Sequence, residues 1–254
     1  MKAKLVYSVL LVCAVGLLFL VVQRWMIHVI ASQDLNVKPF TSTVTHYTVS
    51  SDRKPVTTAI ETVARTRSGA LVHVSTAYGP KGEVYSGMRR IDFPDGAMAM
   101  IADEGGAKAT GHRPDTSLAQ TKQALANQPL NCLEARGLEK LDGQDNLFGQ
   151  VADRISVDEG NRRAVVWKLP AFNCQIVQSA FQIKTTIGYE TYAGSVLTSF
   201  QERDPDSKLF DGFASFKEMP PSQLIRTYFA AHGLGAISHS KGDDAMDKNY
   251  NANK

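Results

Sequence analysis

The longest strand-forming stretch of the chain is residues 174–200, which read CQIVQSAFQIKTTIGYETYAGSVLTSF. β-branched and aromatic residues are frequent in it, and such residues favour the pleated surface of a sheet. The stretch divides into two β-rich runs, Cys174–Lys184 and Thr185–Phe200. We therefore expect two long strands at this point in the chain.

Shorter runs of the same kind precede it, separated by turn-forming residues such as Ser68-Gly69 and Pro94-Asp95-Gly96. Where apolar and polar residues alternate, one face of a strand packs on a core, as in antiparallel sheets. Alternation places Val165, Trp167 and Leu169 on one side of a strand, and groups Leu147, Val151, Ile155 and Val157 on one side of another. The runs before residue 174 are 43–49, 56–66, 70–78, 83–93, 97–102, 147–157 and 163–169.

Two segments favour helices instead. Asp115–Ala126 begins with residues that cap a helix, and Pro129 lies just beyond its end. The second helix opens at Pro220-Pro221-Ser222, runs to His232 and is closed by Gly233. The apolar side of this helix is formed by Leu224, Ile225, Tyr228 and Phe229. The predicted fold class is therefore mainly β (α+β): an N-terminal transmembrane helix, then one curved antiparallel sheet or open barrel with two short helices.

A membrane segment is predicted at the N-terminus. Leu5–Val22 is eighteen residues long and carries no charge, which is close to the length that spans a hydrocarbon core of about 30 Å. Lys2 and Lys4 precede it, so the N-terminus is expected to stay in the cytoplasm. We expect a single-pass protein of the bacterial inner membrane, with the bulk of the chain outside the cytoplasm. The alternative is a signal peptide cleaved near Ala31, after which the protein is secreted.

The chain therefore divides into four predicted parts. Residues 1–31 form the membrane anchor and its flank, and 32–41 are a linker. Residues 42–236 form one extracytoplasmic β-rich domain, because about two hundred residues suit one full-sized core. Residues 237–254 are polar and form a tail that is expected to be disordered.

Cys132 and Cys174 are the only cysteines beyond the apolar segment. Two thiols exported to an oxidising compartment usually pair, so we expect a disulfide between them. In a cytoplasmic protein they would be interpreted as two separate buried thiols. A redox-active or metal-binding pair is disfavoured, since the spacing is not CxxC.

Composition and motifs exclude several classes of function. The chain has 28 basic and 25 acidic side chains and a net charge of +3, with no run of Lys or Arg, so no nucleic-acid partner is expected. The six histidines show no metal-protease spacing, and no phosphate-binding loop or nucleophile elbow is present. No catalytic residue, metal or cofactor is therefore assigned. His73, which alternates within a strand, is interpreted as a hydrogen-bonded histidine of the sheet.

The order of several short motifs resembles a set of uncharacterised bacterial envelope proteins. The motifs are Arg90–Gly96 (RIDFPDG), Trp167 to Cys174, Asp204–Phe210 (DPDSKLF) and Met219–Ser222 (MPPS). These proteins look in turn like distant relatives of the periplasmic lipoprotein-carrier (LolA-like) family, and the resemblance covers roughly residues 43–225. It implies a curved antiparallel sheet whose concave side holds acyl chains under helices. No binding residue of the family maps onto this chain position by position.

The leading hypothesis for function is therefore non-catalytic: the anchored domain binds an apolar or lipid-like ligand, or acts as an envelope sensor or scaffold. Its partners would be the lipid bilayer, a lipid or acyl ligand and an envelope protein. Two alternatives remain open, a hydrolase of envelope material and an assembly protein that uses a sheet edge. The residues predicted to line an apolar cavity are Val151, Ile155, Val165, Trp167, Phe181 and Ile183.

Overall fold

The computed structural model describes residues 37–79, 82–112, 118–126, 132–133, 138–231 and 247. The predicted anchor, the signal-peptide alternative and nearly all of the predicted tail lie outside these residues. Among the described residues, no helix is long and apolar enough to cross a membrane.

Twelve strands form one large, open, curved sheet in the described part of the chain. All neighbouring strands are antiparallel except the short β12, which pairs in parallel with β6. The spatial order is β12-β6-β5-β4-β3-β2-β1-β11-β10-β9-β8-β7. The strands are β1 (Phe40–Val49), β2 (Pro55–Arg65), β3 (Leu71–Tyr78), β4 (Val84–Asp92), β5 (Ala97–Ala102), β6 (Ala107–His112), β7 (Glu139–Leu147), β8 (Gln150–Glu159), β9 (Arg162–Leu169), β10 (Gln175–Thr185), β11 (Gly188–Gln201) and β12 (Lys217–Glu218).

Two meanders meet at the centre of the sheet. Strands β1 to β6 follow one another outward in one direction, and β11 to β7 do so in the other. They join where β1 pairs with β11, for example through Thr41 and Gln201. Tight turns at Gly69 and Gly96 connect neighbouring strands, and both glycines adopt the positive φ that such turns require.

Cross-strand pairing defines two faces of the sheet. We call one the histidine face, because His46, Glu61 and His73 of β1, β2 and β3 lie on it. It continues onto β10 and β11, where Ser195 pairs with His46 and Ser179 with Ser195. The opposite side is called the tryptophan face, because Trp167 of β9 lies on it beside its partner Arg154 of β8, together with Val165 and Arg163.

Different parts of the chain cover the two faces. Pro170–Phe172, a short 3-10 helix, brings Phe172 against the rings of Phe40 and Phe200. Residues 205–216, which we call the strap, pack Leu209, Phe210, Phe213 and Phe216 over the buried residues of the tryptophan face on β2–β5. The buried residues beneath the strap are Ala64, Val72, Ile91, Ala99 and Ile101.

Two α-helices lie within the described residues, close to the two predicted ones. α1 is Leu118–Ala126, and α2 is Pro221–Ala231. After the strap and β12, α2 packs against β5 and β6 on the histidine face, where Leu224 contacts Ala102, Ala107 and Ala109. The chain thus passes round the β6 edge and covers both sides of it.

Leu224→Ala is expected to lower the free energy of unfolding by about 2 kcal/mol. Leu224 is fully buried, but it lies near the edge of the sheet, where partial collapse limits the cavity that remains. Urea unfolding of the variant measures the effect, with the exposed Gln223→Ala of the same helix as the matched control. Equal midpoints for the two variants would show that the helix does not depend on this contact.

Three sequence-based expectations need correction. The run from Leu147 to Val157 is not one strand, because Phe148 and Gly149, both at positive φ, turn the chain between β7 and β8. Leu147 pairs with Gln150 and therefore lies on the opposite face from Val151. β1 begins at the buried Phe40, inside the predicted linker. Strands β6 and β7 were not predicted at all.

Candidate ligand-binding site

A pocket of about 460 Å³ opens on the histidine face, where β1, β2 and β3 lie beside β10 and β11. Apolar side chains form part of its wall, and histidine, glutamate and serine side chains form the rest. Its lining residues are Val44, His46, Glu61, Val63, His73, Asn173, Cys174, Gln175, Ile176, Val177, Ser179 and Ser195.

Glu61 lies between two histidines and binds both. Its Oε2 is 3.1 Å from Nε2 of His46, and its Oε1 is 2.8 Å from Nδ1 of His73. The register explains the contact, because His46 pairs with Ala59 and His73 pairs with Val63, the residues two before and two after Glu61. Such diagonal neighbours on one face of a sheet are within reach of long side chains.

The ionisation of Glu61 reflects this contact. Burial opposes the charged carboxylate and raises its pKa, but the hydrogen bonds and charges of His46 and His73 outweigh burial and lower the pKa from 4.5 to about 2. Glu61 is therefore a carboxylate at any physiological pH. It holds both imidazole rings in fixed orientations and leaves one nitrogen of each ring, Nδ1 of His46 and Nε2 of His73, for other partners.

Glu61→Gln tests this arrangement through its pH dependence. Because the folded-state pKa is lowered, the stabilisation is present above about pH 4.5 and is lost as the pH falls through about 2. Wild type is expected to exceed the variant in unfolding free energy by about 2 kcal/mol at pH 5, since each pKa unit corresponds to about 1.4 kcal/mol and partial exposure weakens the effect.

Urea unfolding at pH 5 and near pH 2.5 measures the difference, which should shrink at the lower pH. Glu159→Gln, at the exposed turn between β8 and β9, is the matched control. A constant difference between wild type and Glu61→Gln across this range would contradict the assignment.

Two serines complete the polar wall. The Oγ atoms of Ser179 and Ser195 are 2.9 Å apart, and Ser195 lies directly opposite His46 in the β1–β11 pair. Among the described residues, the side chains of both histidines bind Glu61, and the two serine hydroxyl groups bind each other. The hydroxyl groups and the free ring nitrogens can therefore donate to or accept from a polar group in the pocket.

The rim of the pocket at Asn173 and Cys174 is held by a buried arginine. Arg65 donates to the backbone oxygens of Lys38 and Phe172 and to Oδ1 of Asn173, over distances of 3.0 to 3.2 Å. Its guanidinium also lies over the Phe40 ring, and burial lowers its pKa to about 10. Asn173 and Cys174 both adopt positive φ here. Arg65 thus holds a tight turn that places Asn173 and Cys174 at the pocket.

The predicted disulfide between Cys132 and Cys174 is confirmed. Its other end is also held in place by buried polar groups. The backbone N–H of Cys132 donates to Asp153, and Lys168 donates to the Cys132 carbonyl and to Glu139. Asp153 and Lys168 are buried on β8 and β9, so the bridge ties the pocket rim to the far strands of the sheet.

Exposed apolar residues continue from the pocket along the histidine face of β10. Ile176 lines the pocket, and Phe181 and Ile183 follow it with 41% and 40% of their surface exposed. Ala164, the partner of Phe181, and Val166 lie beside them on β9. We call Ile176, Phe181, Ile183 and Val166 the apolar stripe.

The six residues predicted to line one cavity divide between the two faces. Val151, Ile155, Phe181 and Ile183 are on the histidine face, where Ile155 is fully buried. Val165 and Trp167 are on the tryptophan face. None of the six lines the histidine-face pocket, although Phe181 and Ile183 belong to the adjoining stripe. The sequence pattern gives no signal for His46 or Glu61, and it indicates only that His73 has a hydrogen-bond partner in the sheet.

Val165 and Trp167 line a separate, shallow pocket of about 440 Å³ together with Asp142, Arg154, Arg163 and Gln182. Its charges are paired internally. Arg154 and the indole N–H of Trp167 both bind Asp145, at 2.9 and 2.7 Å, and Arg163 binds Asp142. These contacts connect β7, β8 and β9, so the charged side chains of this pocket have a structural role.

No group of three His, Cys, Asp or Glu side chains in the described residues is placed to hold a metal ion. His46 and His73 each bind one carboxylate oxygen of Glu61. The site is therefore a partly apolar pocket with a polar wall. Such a combination fixes the orientation of a largely apolar molecule that carries one polar group.

The fold defines a class of proteins built on a single large, open antiparallel sheet. No family model matches the chain, and no curated protein matches it. Among solved structures, the chain is similar to PNGF-II (8% identity, TM-score 0.44), with 76% of this chain and 34% of that chain covered. The chain thus spans about a third of the length of PNGF-II.

It is also similar to a putative outer membrane lipoprotein-sorting protein domain from Vibrio parahaemolyticus, with 7% identity, a TM-score of 0.27 and coverage of 68% of this chain and 89% of that chain. LprF from Mycobacterium bovis gives 14% identity, a TM-score of 0.25 and coverage of 68% and 90%. These structures include a lipoprotein-sorting protein domain, the kind of protein that the sequence motifs distantly resemble. At this level of similarity, function has to be derived from the chain's own residues.

Proposed function

We propose that the chain is a non-catalytic envelope domain that binds an amphipathic, lipid-like ligand on its histidine face. The observation that carries the proposal is the continuity of the apolar stripe with the pocket. Exposed apolar side chains run along β10 into a cavity whose wall carries His46, Glu61, His73 and two serines. A ligand with an apolar chain and a polar group matches that arrangement.

The dimensions support this proposal. Ile176 and Ile183 are seven residues apart on one strand, which corresponds to about 20 Å. One lipid tail occupies half of a hydrocarbon core, or about 15 Å, so the stripe is long enough for an acyl chain. The pocket volume of about 460 Å³ lies within the range of about 300 to 1,000 Å³ that is usual for small-molecule sites.

The disulfide supports a location outside the cytoplasm, because such bonds persist in oxidising compartments. We infer that residues 1–31 hold the domain at the bacterial inner membrane, with cleavage near Ala31 as the alternative. The domain of residues 42–236 then presents its site to envelope lipids. In an anchored protein, ligand binding would serve sensing or transfer at the membrane rather than free shuttling.

The test is binding of an apolar fluorescent probe to residues 32–254, followed by competition with a single-chain phospholipid. Probe emission should rise on binding and fall again as the phospholipid displaces it. Ile183→Ser is expected to weaken probe binding about tenfold, because it removes most of an isoleucine's apolar contact.

Val196→Ser is the matched control, since Val196 is exposed to a similar extent (42%) on the tryptophan face. It should leave probe binding unchanged. A domain that binds no probe, or that responds equally to both substitutions, would show that the stripe is not a ligand site.

A further inference from the structure

The tip of the β10–β11 hairpin carries an apolar residue that the fold does not need. Thr185 pairs with Gly188, so Thr186 and Ile187 form the two-residue loop. Oγ1 of Thr185 donates to the Gly188 carbonyl at 3.0 Å and closes the turn. Ile187 is 86% exposed. Turns favour Gly, Asn, Asp, Ser or Pro, and an exposed isoleucine contributes neither to the turn nor to a core.

Other large apolar or aromatic side chains surround this tip. Ile183, Tyr189 and Tyr192 lie on the same hairpin and are each more than a third exposed. The Tyr189 ring lies against the Arg163 guanidinium, and its hydroxyl is 3.4 Å from Asp158. The tyrosines therefore present apolar rings with polar ends, the type of side chain that favours a membrane–water interface.

The charges at this end of the sheet are balanced and largely paired. Arg53 binds Glu190 and Lys54 binds Asp52, which links the β1–β2 turn to the hairpin. Six basic side chains lie near five acidic ones at this end of the sheet, a difference of one charge: Arg53, Lys54, Lys140, Arg162, Arg163 and Lys184 with Asp52, Asp142, Asp158, Glu159 and Glu190. Such a surface has little net attraction for an anionic partner.

We propose that this hairpin tip inserts into the surface of an uncharged lipid bilayer, with Ile187 below the head groups and the two tyrosines among them. The exposed side chains amount to an area on the order of 400 Å², about half of what one partner contributes to a standard protein interface. Insertion into a bilayer does not require an interface of that area. An aliphatic tip flanked by tyrosines on a neutral rim fits a lipid surface better than a protein.

The hairpin tip lies far from the point where the described chain enters the sheet. β1 runs from Phe40, where the described chain enters the sheet, towards Val49, and Thr48 pairs with Ala193 near the hairpin. Thr41 pairs with Gln201, and the fourteen residues of β11 run from there to the turn, which places the tip about 40 Å from Phe40. The proposed contact therefore lies at the opposite end of β11 from the point where the described chain enters the sheet. It also brings the open end of the apolar stripe, at Ile183, to the lipid surface, which would give the ligand proposed above a path into the pocket.

The test uses the full chain with Cys13→Ser, reconstituted in phosphatidylcholine vesicles. An environment-sensitive fluorophore is attached through Thr186→Cys, beside Ile187, or through Phe148→Cys as the matched control. Phe148 is also an exposed apolar residue at a two-residue turn, but it lies at the opposite end of the strands. Brominated phosphatidylcholine should quench the fluorophore at 186 and leave that at 148 unchanged.

Ile187→Lys should reduce the quenching at 186 at least about tenfold, because insertion would then bury a charge in place of an apolar side chain. High salt should leave the wild-type signal unchanged. Absence of quenching at 186, equal quenching at 186 and 148, or quenching that requires anionic lipid would each overturn the proposal. Ile187→Lys should retain binding of the apolar probe, so failure of membrane docking and failure of ligand binding are distinguished.

Discussion

Replacement of both Cys132 and Cys174 by serine is expected to lower the free energy of unfolding by about 4 kcal/mol. The bridge joins residues separated by 42 positions, and closing a loop of that length restricts the unfolded chain by about this amount at 25 °C. The domain consists of one open sheet with two edges. Since folded proteins are stable by only about 5 to 15 kcal/mol, a loss of this size is a large part of the total. Urea unfolding of the double variant against oxidised wild type measures it.

The bridge also has a local consequence that distinguishes it from a simple loop constraint. Cys174 lies at the pocket rim, and Cys132 is fixed by Asp153 and Lys168. Reduction of the wild type should therefore weaken binding of the apolar probe under conditions in which the protein remains folded. Gln175→Ala, next to the bridge on the same rim, is the control for a local change that leaves the bridge intact. A double variant as stable as the wild type would mean that the buried polar contacts alone hold this region.

The strands could be predicted because their signals are local, and the disulfide because only two cysteines lie beyond the apolar segment. The stretch 174–200 forms β10 and β11 within three residues of the predicted bounds at each end. β6 and β7 were missed because their sequences, AKATGH and EKLDGQDNL, contain few β-branched or aromatic residues. Their strand conformation depends on pairing with β5 and β8, which is a tertiary effect.

The candidate site could not be predicted, because it depends on how strands align with one another. Alternation within β9 correctly groups Val165 with Trp167, but the face they share with other strands depends on the register. A shift of one residue exchanges the two faces of a strand. Bulges between Ile176 and Gln178 and between Phe181 and Gln182 introduce such shifts. The contact of Glu61 with two histidines 15 and 12 residues away likewise exists only once three strands are in register.

Arg89→Ala is expected to lower the free energy of unfolding by about 3 to 4 kcal/mol, because it removes five hydrogen bonds made by one buried side chain. Arg89 forms a two-point contact with Asp103, at 2.6 and 2.7 Å. Its third nitrogen donates to the backbone oxygens of Lys208, Leu209 and Asp211 in the strap. Without Arg89, these oxygens lose their donor, whereas the half-exposed Asp103 can be hydrated.

The neighbouring Arg90→Ala is the matched control. Arg90 lies on the opposite face, is half exposed and pairs with Asp92, two residues further along β4. An exposed ion pair of this kind contributes at most about 1 kcal/mol. Proteolysis of the strap is a second measurement. Trypsin should cleave after Lys208 faster in Arg89→Ala than in wild type or Arg90→Ala, because release of the strap exposes the peptide bond that follows Lys208. Equal cleavage rates in all three proteins, with equal unfolding midpoints, would mean that the phenylalanines of the strap hold it over Val72 and Ile91 without the arginine.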